Sequence, residues 1–201
     1  MYWNPGIPQA LLNGHSQRIT VAGLAVPNLP IPMIQTELLF TPDAHLQALT
    51  QLLQDCVMGG ASLGFLSPLG ADEAQAYWDG VAADMRSGAR LLLVAMEGVE
   101  LAGAVQLALC GKKNGQHRAE IEKLMVHTRH RRKGLGDALM LGIEALAGEH
   151  GRSLLVLDTR CDDTASTLYR KHGYIEAGRI PGYALSADGG LDGTSYFYKQ
   201  M

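Results

Sequence analysis

No stretch of these 201 residues approaches the roughly 18 consecutive apolar positions of a membrane-spanning helix, so no membrane partner is expected. The first residues carry no Lys/Arg-led segment running into a compact apolar stretch, which argues against a secretory signal. Cysteine is scarce. Cys56, Cys110 and Cys161 are odd in number and sit at no metal-ligand spacing, so they read as reduced thiols in a cytoplasmic protein without a metal. Charge is modest too: a net −3 with 18% charged residues argues against broad binding of nucleic acid or membrane surfaces. Internal repeats and low-complexity tracts are absent, and no Gly-Lys-Ser/Thr stands at the spacing of a P-loop.

What is present suits one domain, or one domain with an appendage, large enough to bury a core without staples. Residues 1–33 hold most of the prolines, as in Pro27-Asn28-Leu29-Pro30-Ile31-Pro32. Met33 then precedes a strand-like run. Two readings stay open: an extension upstream of a domain spanning 34–201, or an arm that packs on the domain or on a neighbouring subunit.

From residue 34 the periodicities are regular. Residues 34–40 form a strand pattern, and Thr41-Pro42-Asp43 predicts a helix start with threonine as N-cap and proline at the first helical position. Leu46, Leu49, Leu52 and Leu53 follow at helical spacing, closed by Gly59-Gly60. A small-residue loop covers 59–70, and a second helix 71–87. Strands are expected at 90–96, 101–110, 119–126, 153–159, 174–180 and 194–199, with helices at 134–150 and 163–172. Residues 181–193, with Tyr183, Asp188 and Asp192, read as a loop beside the acceptor. This order predicts an α/β fold: a mixed central sheet of about six or seven strands flanked by about four helices.

The most specific segment is Val126-His127-Thr128-Arg129-His130-Arg131-Arg132-Lys133-Gly134-Leu135-Gly136. A strand runs into a basic, glycine-containing turn that opens directly into an amphipathic helix. Backbone N–H groups and the helix dipole there favour a phosphate or pyrophosphate, and the cations add pairing charge. A lone Gly-x-Gly is weak, and a basic cluster is usually a solvated face. A dinucleotide fingerprint fits poorly, because Leu139 stands where its third glycine belongs.

Arg131-x-x-Gly134-x-Gly136 resembles the Arg/Gln-x-x-Gly-x-Gly/Ala signature of the GNAT acetyltransferases. Upstream, 119–126 is similar to that family's central strand. Downstream, Ala165-Ser166-Thr167-Leu168-Tyr169-Arg170-Lys171-His172-Gly173-Tyr174 is similar to its Ala-x-x-x-Tyr-x-x-x-Gly-Phe/Tyr helix. The end of the chain resembles the subgroup containing tabtoxin-resistance acetyltransferases. The resemblance implies acetyl-CoA as acyl donor and a cofactor site at Leu124, Met125, Val126, Arg131, Arg132, Lys133, Gly134, Leu135, Gly136 and Asp137. It also implies that backbone N–H groups near Met125 and Val126 polarise the thioester, and that Tyr169 protonates the leaving thiolate. Asp162 and Asp163 stand where many members have asparagine; aspartate caps a helix equally well but donates no side-chain hydrogen bond.

Acyl transfer to an amine needs that amine neutral. With a pKa near 10.4, only about one part in 10³ to 10⁴ is neutral at pH 7, a deficit of roughly 4–5 kcal/mol that a carboxylate base can offset in part. Strand alternation puts Glu120, Glu122, Leu124 and Val126 on one face provided no bulge intervenes. Glu120 is the first candidate base, Asp158 its partner and Glu122 the alternative; Glu120 or Glu122 could instead form a sheet-edge ion pair with Lys123 or Arg118. Tyr169 could equally be a packing residue. The expected function is acetylation of a small-molecule amine in a ternary complex. Protein or peptide acetylation and a non-catalytic CoA-binding regulatory domain are the alternatives. No nucleic-acid partner is expected, and a homodimer is left open.

Overall fold

The computed structural model describes residues 17–19, 34–186 and 189–201. Its strands are β1 (Gln17–Ile19), β2 (Ile34–Leu39), β3 (Arg90–Glu97), β4 (Glu100–Leu109), β5 (Arg118–Val126), β6 (Leu154–Arg160), β7 (Ile175–Leu185) and β8 (Leu191–Gln200). The helices are α1 (Leu46–Met58), α2 (Ala71–Arg86), α3 (Leu135–Glu149) and α4 (Ala165–Lys171). One sheet runs in the order β1-β2-β3-β4-β5-β6-β8-β7, and every pairing is antiparallel except β5 with β6. This is the expected mixed sheet with four helices. Seven strands come from 34–201, and β1, from the preceding segment, pairs with the outer side of β2.

Period-2 patterning on the strands produces two cores. On β3, Leu92 and Val94 join α1 and α2 through Leu49, Leu53 and Trp78, while Leu93 and Ala95 face α3 through Leu139, Met140 and Ile143. Helices therefore cover both faces, as a parallel β5–β6 pair with its α3 crossover requires.

Three local expectations change. The Thr41 cap leads only to a short 3-10 turn at Asp43–His45, with the Asp43 N–H donating to Thr41 Oγ1 at 3.4 Å; α1 proper starts at Leu46 because His45 leaves helical geometry. The acceptor-side loop is mostly strand. β7 continues to Leu185 and β8 begins at Leu191, so 181–193 is largely a hairpin. Its ladder is interrupted between Ile180 and Ala184, where Pro181 has no N–H to pair and Gly182 sits at φ 61°. Asp188 lies outside the described residues.

The third change concerns β5. Ala104 pairs with Met125 but Gln106 pairs with Glu122, so two residues, Lys123 and Leu124, face the single Val105. This β-bulge, with Lys123 at φ 52°, reverses the alternation. Ala119 and Ile121 before it share the α3 core with Leu124 and Val126 after it, whereas Met125 enters the α1–α2 core. Glu120 and Glu122 thus do not share a face with Leu124 and Val126.

Candidate active site

β5 and β6 pair only over Arg118↔Leu154, Ala119↔Leu155 and Glu120↔Val156, then separate. Beyond Glu120 β6 no longer pairs with β5, and the carboxyl ends of two parallel strands open on a crevice, the usual ligand position in such sheets. A cleft of about 870 Å³ fills this gap and is lined by Leu124, Met125, Val126, Arg131, Arg132, Gly134, Leu135, Gly136 and Asp137 at one end and by Glu120, Glu122, Lys123 and Asp158 at the other, with Tyr169. Met125 is buried to 1% exposure, so it offers backbone rather than side chain.

The basic turn is pinned from both sides. Asp55 on α1 accepts from the Thr128 backbone N–H and hydroxyl, both at 2.7 Å. Glu97 at the end of β3 holds Lys133 Nζ at 2.8 and 2.9 Å and contacts His130 Nδ1. Arg129 reaches Glu100 at 3.2 Å. Lys133 is therefore turned to Glu97 and is not among the cleft-lining residues. Arg131, whose Nε donates to the Val126 carbonyl at 3.2 Å, and Arg132 keep their charges for a ligand. Gly134 opens α3 at φ 86°, a conformation that favours glycine. Gly136 brings α3 close to α4: a Cβ there would lie 3.2 Å from Leu168 Cδ2, which would have to yield by a few tenths of an ångström. Free N–H groups at the start of α3, a close-approach glycine and two available guanidinium groups fit a pyrophosphate. Asp137 is not an uncompensated charge in this cradle. Partial burial works to raise its pKa, but hydrogen bonds from Lys171 at 2.6 Å and His172 at 3.0 Å outweigh it and hold the carboxyl low.

At the other end three carboxylates converge with different commitments. Glu122 is ion-paired to Arg90, which also holds Asp84 at 3.1 Å and Gln106 at 2.7 Å. Asp158 is exposed and accepts from the Thr194 hydroxyl at 2.7 Å. Glu120 is half-buried with no hydrogen bond or ion pair to a described residue, and burial, then repulsion from Glu122 and Asp158, raises its pKa. Tyr169 is buried, 6.1 Å from the Tyr174 ring and 6.0 Å from that of Phe197. Burial, then the charges of Asp163 and Asp158, pushes its phenol far above the ordinary range, so it stays protonated. Asp163 Oδ1 accepts from the Ala165 N–H at 3.1 Å, the capping role open to aspartate at the start of α4.

Some groups here were not singled out by sequence reasoning. Lys123 lines the cleft from the bulge; the signal was three charges within four residues, Glu120, Glu122 and Lys123, on a central strand. Tyr196 faces Asp158 across the β6–β8 ladder and meets Tyr183 with hydroxyls 2.9 Å apart. That hydrogen bond, with burial, pushes its pKa up to about 12. A side cavity of about 190 Å³ adjoins the cleft between loop 59–70 and the β7–β8 hairpin, with Ser62, Phe65, Arg160 and Asp192 on its wall. Cys56 also borders the cleft, but burial, then Asp55, raises its thiol to about 11, so it is no nucleophile at neutral pH. Among the described residues no three His, Cys, Asp or Glu side chains converge as a metal site, and no helix is long and apolar enough to cross a membrane.

Residues 46–174 match the model of the Acetyltransferase (GNAT) family. An N-acetyltransferase from Staphylococcus aureus Mu50 superposes with a TM-score of 0.70 at 17% identity, over 82% of this chain and 98% of that one. The yncA protein of Salmonella typhimurium, solved with its cofactor acetyl-CoA, gives 0.68 at 20% identity over 82% and 93%. A ribosomal-protein-alanine N-acetyltransferase from Brucella melitensis gives 0.67 at 19% identity over 82% and 99%.

Proposed function

The chain belongs to the GNAT acetyltransferase family, and we propose on that footing that it transfers the acetyl group of acetyl-CoA directly to an amine of a small molecule, both substrates bound together. The observation that carries this reading is the single cleft that joins the pyrophosphate-suited turn at Arg131–Gly136 to the unpaired carboxylate of Glu120. Glu120, with its raised pKa and Asp158 nearby, takes a proton from the acceptor ammonium, directly or through water. The N–C bond forms as the C–S bond breaks. Backbone groups of the β5 segment around Met125 and Val126 stabilise the carbonyl oxygen. Tyr169, held protonated by burial, gives its proton to the departing sulfur, and the second proton shed by the acylated nitrogen returns through water to restore the phenol. Glu122 suits the base role less well, because its charge already serves Arg90.

A small acceptor is supported by the side cavity, which at about 190 Å³ and bounded by the hairpin suits a small molecule better than a polypeptide. A mass-shift screen of amines, antibiotics, amino-acid derivatives and peptides with acetyl-CoA tests this. A gain of one acetyl group on small amines is expected; acetylation confined to peptides would overturn it.

A further inference from the structure

Four cations in or beside the cleft have visible duties. Arg160 reaches Asp163 at 3.5 Å and Asp192 at 3.6 Å. Arg90 is held by Asp84 and Glu122. Arg131 and Arg132 stand at the turn that suits the pyrophosphate. Lys123 is different. It is half-buried in the cleft wall and makes no hydrogen bond or ion pair within 4 Å to a described residue. Its ammonium lies beside loop 59–70, where a Cβ built on Gly64 would be 3.5 Å from Nζ. Burial lowers its pKa; Glu122, Asp158 and Glu120 counter this only in part, and Arg90 adds to the fall. The bulge holds this non-glycine residue at φ 52°, a left-handed conformation that strains an L side chain. A partly desolvated cation with no carboxylate in direct contact is costly, and an arriving anion relieves that cost.

The acceptor end therefore presents negative charge at Glu120 and Asp158 and positive charge at Lys123, none of them in an ion pair within 4 Å among the described residues, the complement of a zwitterion. Resting on the acetyl-transfer reading above, we propose that the acceptor is a small amine of the amino-acid type, with its amine toward Glu120 and Asp158 and its carboxylate on Lys123 Nζ. The adjoining cavity, with Phe65 and Leu185 beside Ser62 and Ser67, takes the side chain.

Free amino acids compared with their own α-amides, for glycine, alanine, serine, methionine and glutamate, test this. An amide lacks the negative charge and has a more acidic ammonium, so more of it is neutral at pH 7. A site blind to the carboxylate would favour the amides. The expected result is a kcat/KM at least about tenfold higher for the free acids, the usual scale of one charge-assisted contact. Lys123→Gln should remove most of that preference through KM on the acids while affecting the amides far less, and Lys123→Arg should restore part of it. Equal or better use of the amides by the unaltered enzyme, or an unchanged preference in Lys123→Gln, overturns the proposal. Thermal shift gives an independent readout of binding. Acid-selective, Lys123-dependent stabilisation without acetylation would sink the acetyl-transfer reading and support the anion site. Acetylation without preference for the acid would sink the anion site alone.

Discussion

Glu120 and Glu122 are two residues apart on β5, and only their partners distinguish them. Arg90 has taken Glu122, while Glu120 is left half-buried and repelled by its neighbours. Glu120→Gln should keep acetyl-CoA affinity and lose turnover, with the loss shrinking at high pH where more acceptor is already neutral; normal activity at pH 7 would pass the base role to Asp158 or Glu122. The stability effect has the opposite sign. A carboxyl whose folded pKa is raised binds its proton more tightly in the folded chain, so it costs stability once pH rises past its unfolded pKa. Thermal melts should show Glu120→Gln more stable than the parent at pH 7–8 and equal to it near pH 4. Tyr169→Phe leaves the ring packed on Phe197 and strands no partner among the described residues. Its melting temperature should barely move while kcat falls about 10²- to 10⁴-fold, the range of a positioned general acid. A wild-type kcat under conditions where chemistry limits turnover would remove that role.

At the scale of elements, the α3 start is a junction: its first turn meets α4 through Gly136 and Leu168, and Asp137 ties it to Lys171 and His172. Gly136→Asp drives a side chain against Leu168 and brings negative charge to the cradle. Calorimetry should find acetyl-CoA binding weakened by about a hundredfold or more, while Gly136→Ala, needing only a small yield of Leu168, stays much closer to the parent; unchanged affinity in a folded Gly136→Asp protein would dismiss this turn as the pyrophosphate site. A second junction is Arg90, which links β3 to α2 through Asp84, to β4 through Gln106 and to β5 through Glu122. Arg90→Met leaves Glu122 uncompensated at 28% exposure. Chemical denaturation should show a loss of about 2–3 kcal/mol, somewhat below the cost of breaking a fully buried pair.

For the whole molecule, the open question is residues 1–33. Gln17–Ile19 does lie on the edge of the sheet, paired to β2, but three strands separate that edge from β5. A chain beginning at Met33 should fold, retain kcat and lose only a few degrees in melting temperature. A large fall in activity would instead make the segment an arm that completes the site. The cleft itself belongs to the whole molecule: it exists because β5 and β6 are joined for three residue pairs and then diverge, with a helix starting after each.

Local periodicity was enough to lay out β2 to β8 and α1 to α4 in order and to mark the basic turn before α3, because 3.6- and 2-residue repeats and helix-start glycines act over a few residues. The placement of Glu120, Asp158, Tyr169 and the Arg131–Gly136 turn around one cleft follows from that order. Partner choice was not legible. Glu122 meets Arg90 across 32 positions and Lys133 meets Glu97 across 36; the first pairing commits a carboxylate that still lines the cleft, and the second turns a cation out of it. The bulge at Lys123 was equally hidden, since two residues facing one is a property of the β4–β5 register and not of either strand alone. Long-range pairing decided which charges stayed free, and the charges left free are the ones that can act on a substrate.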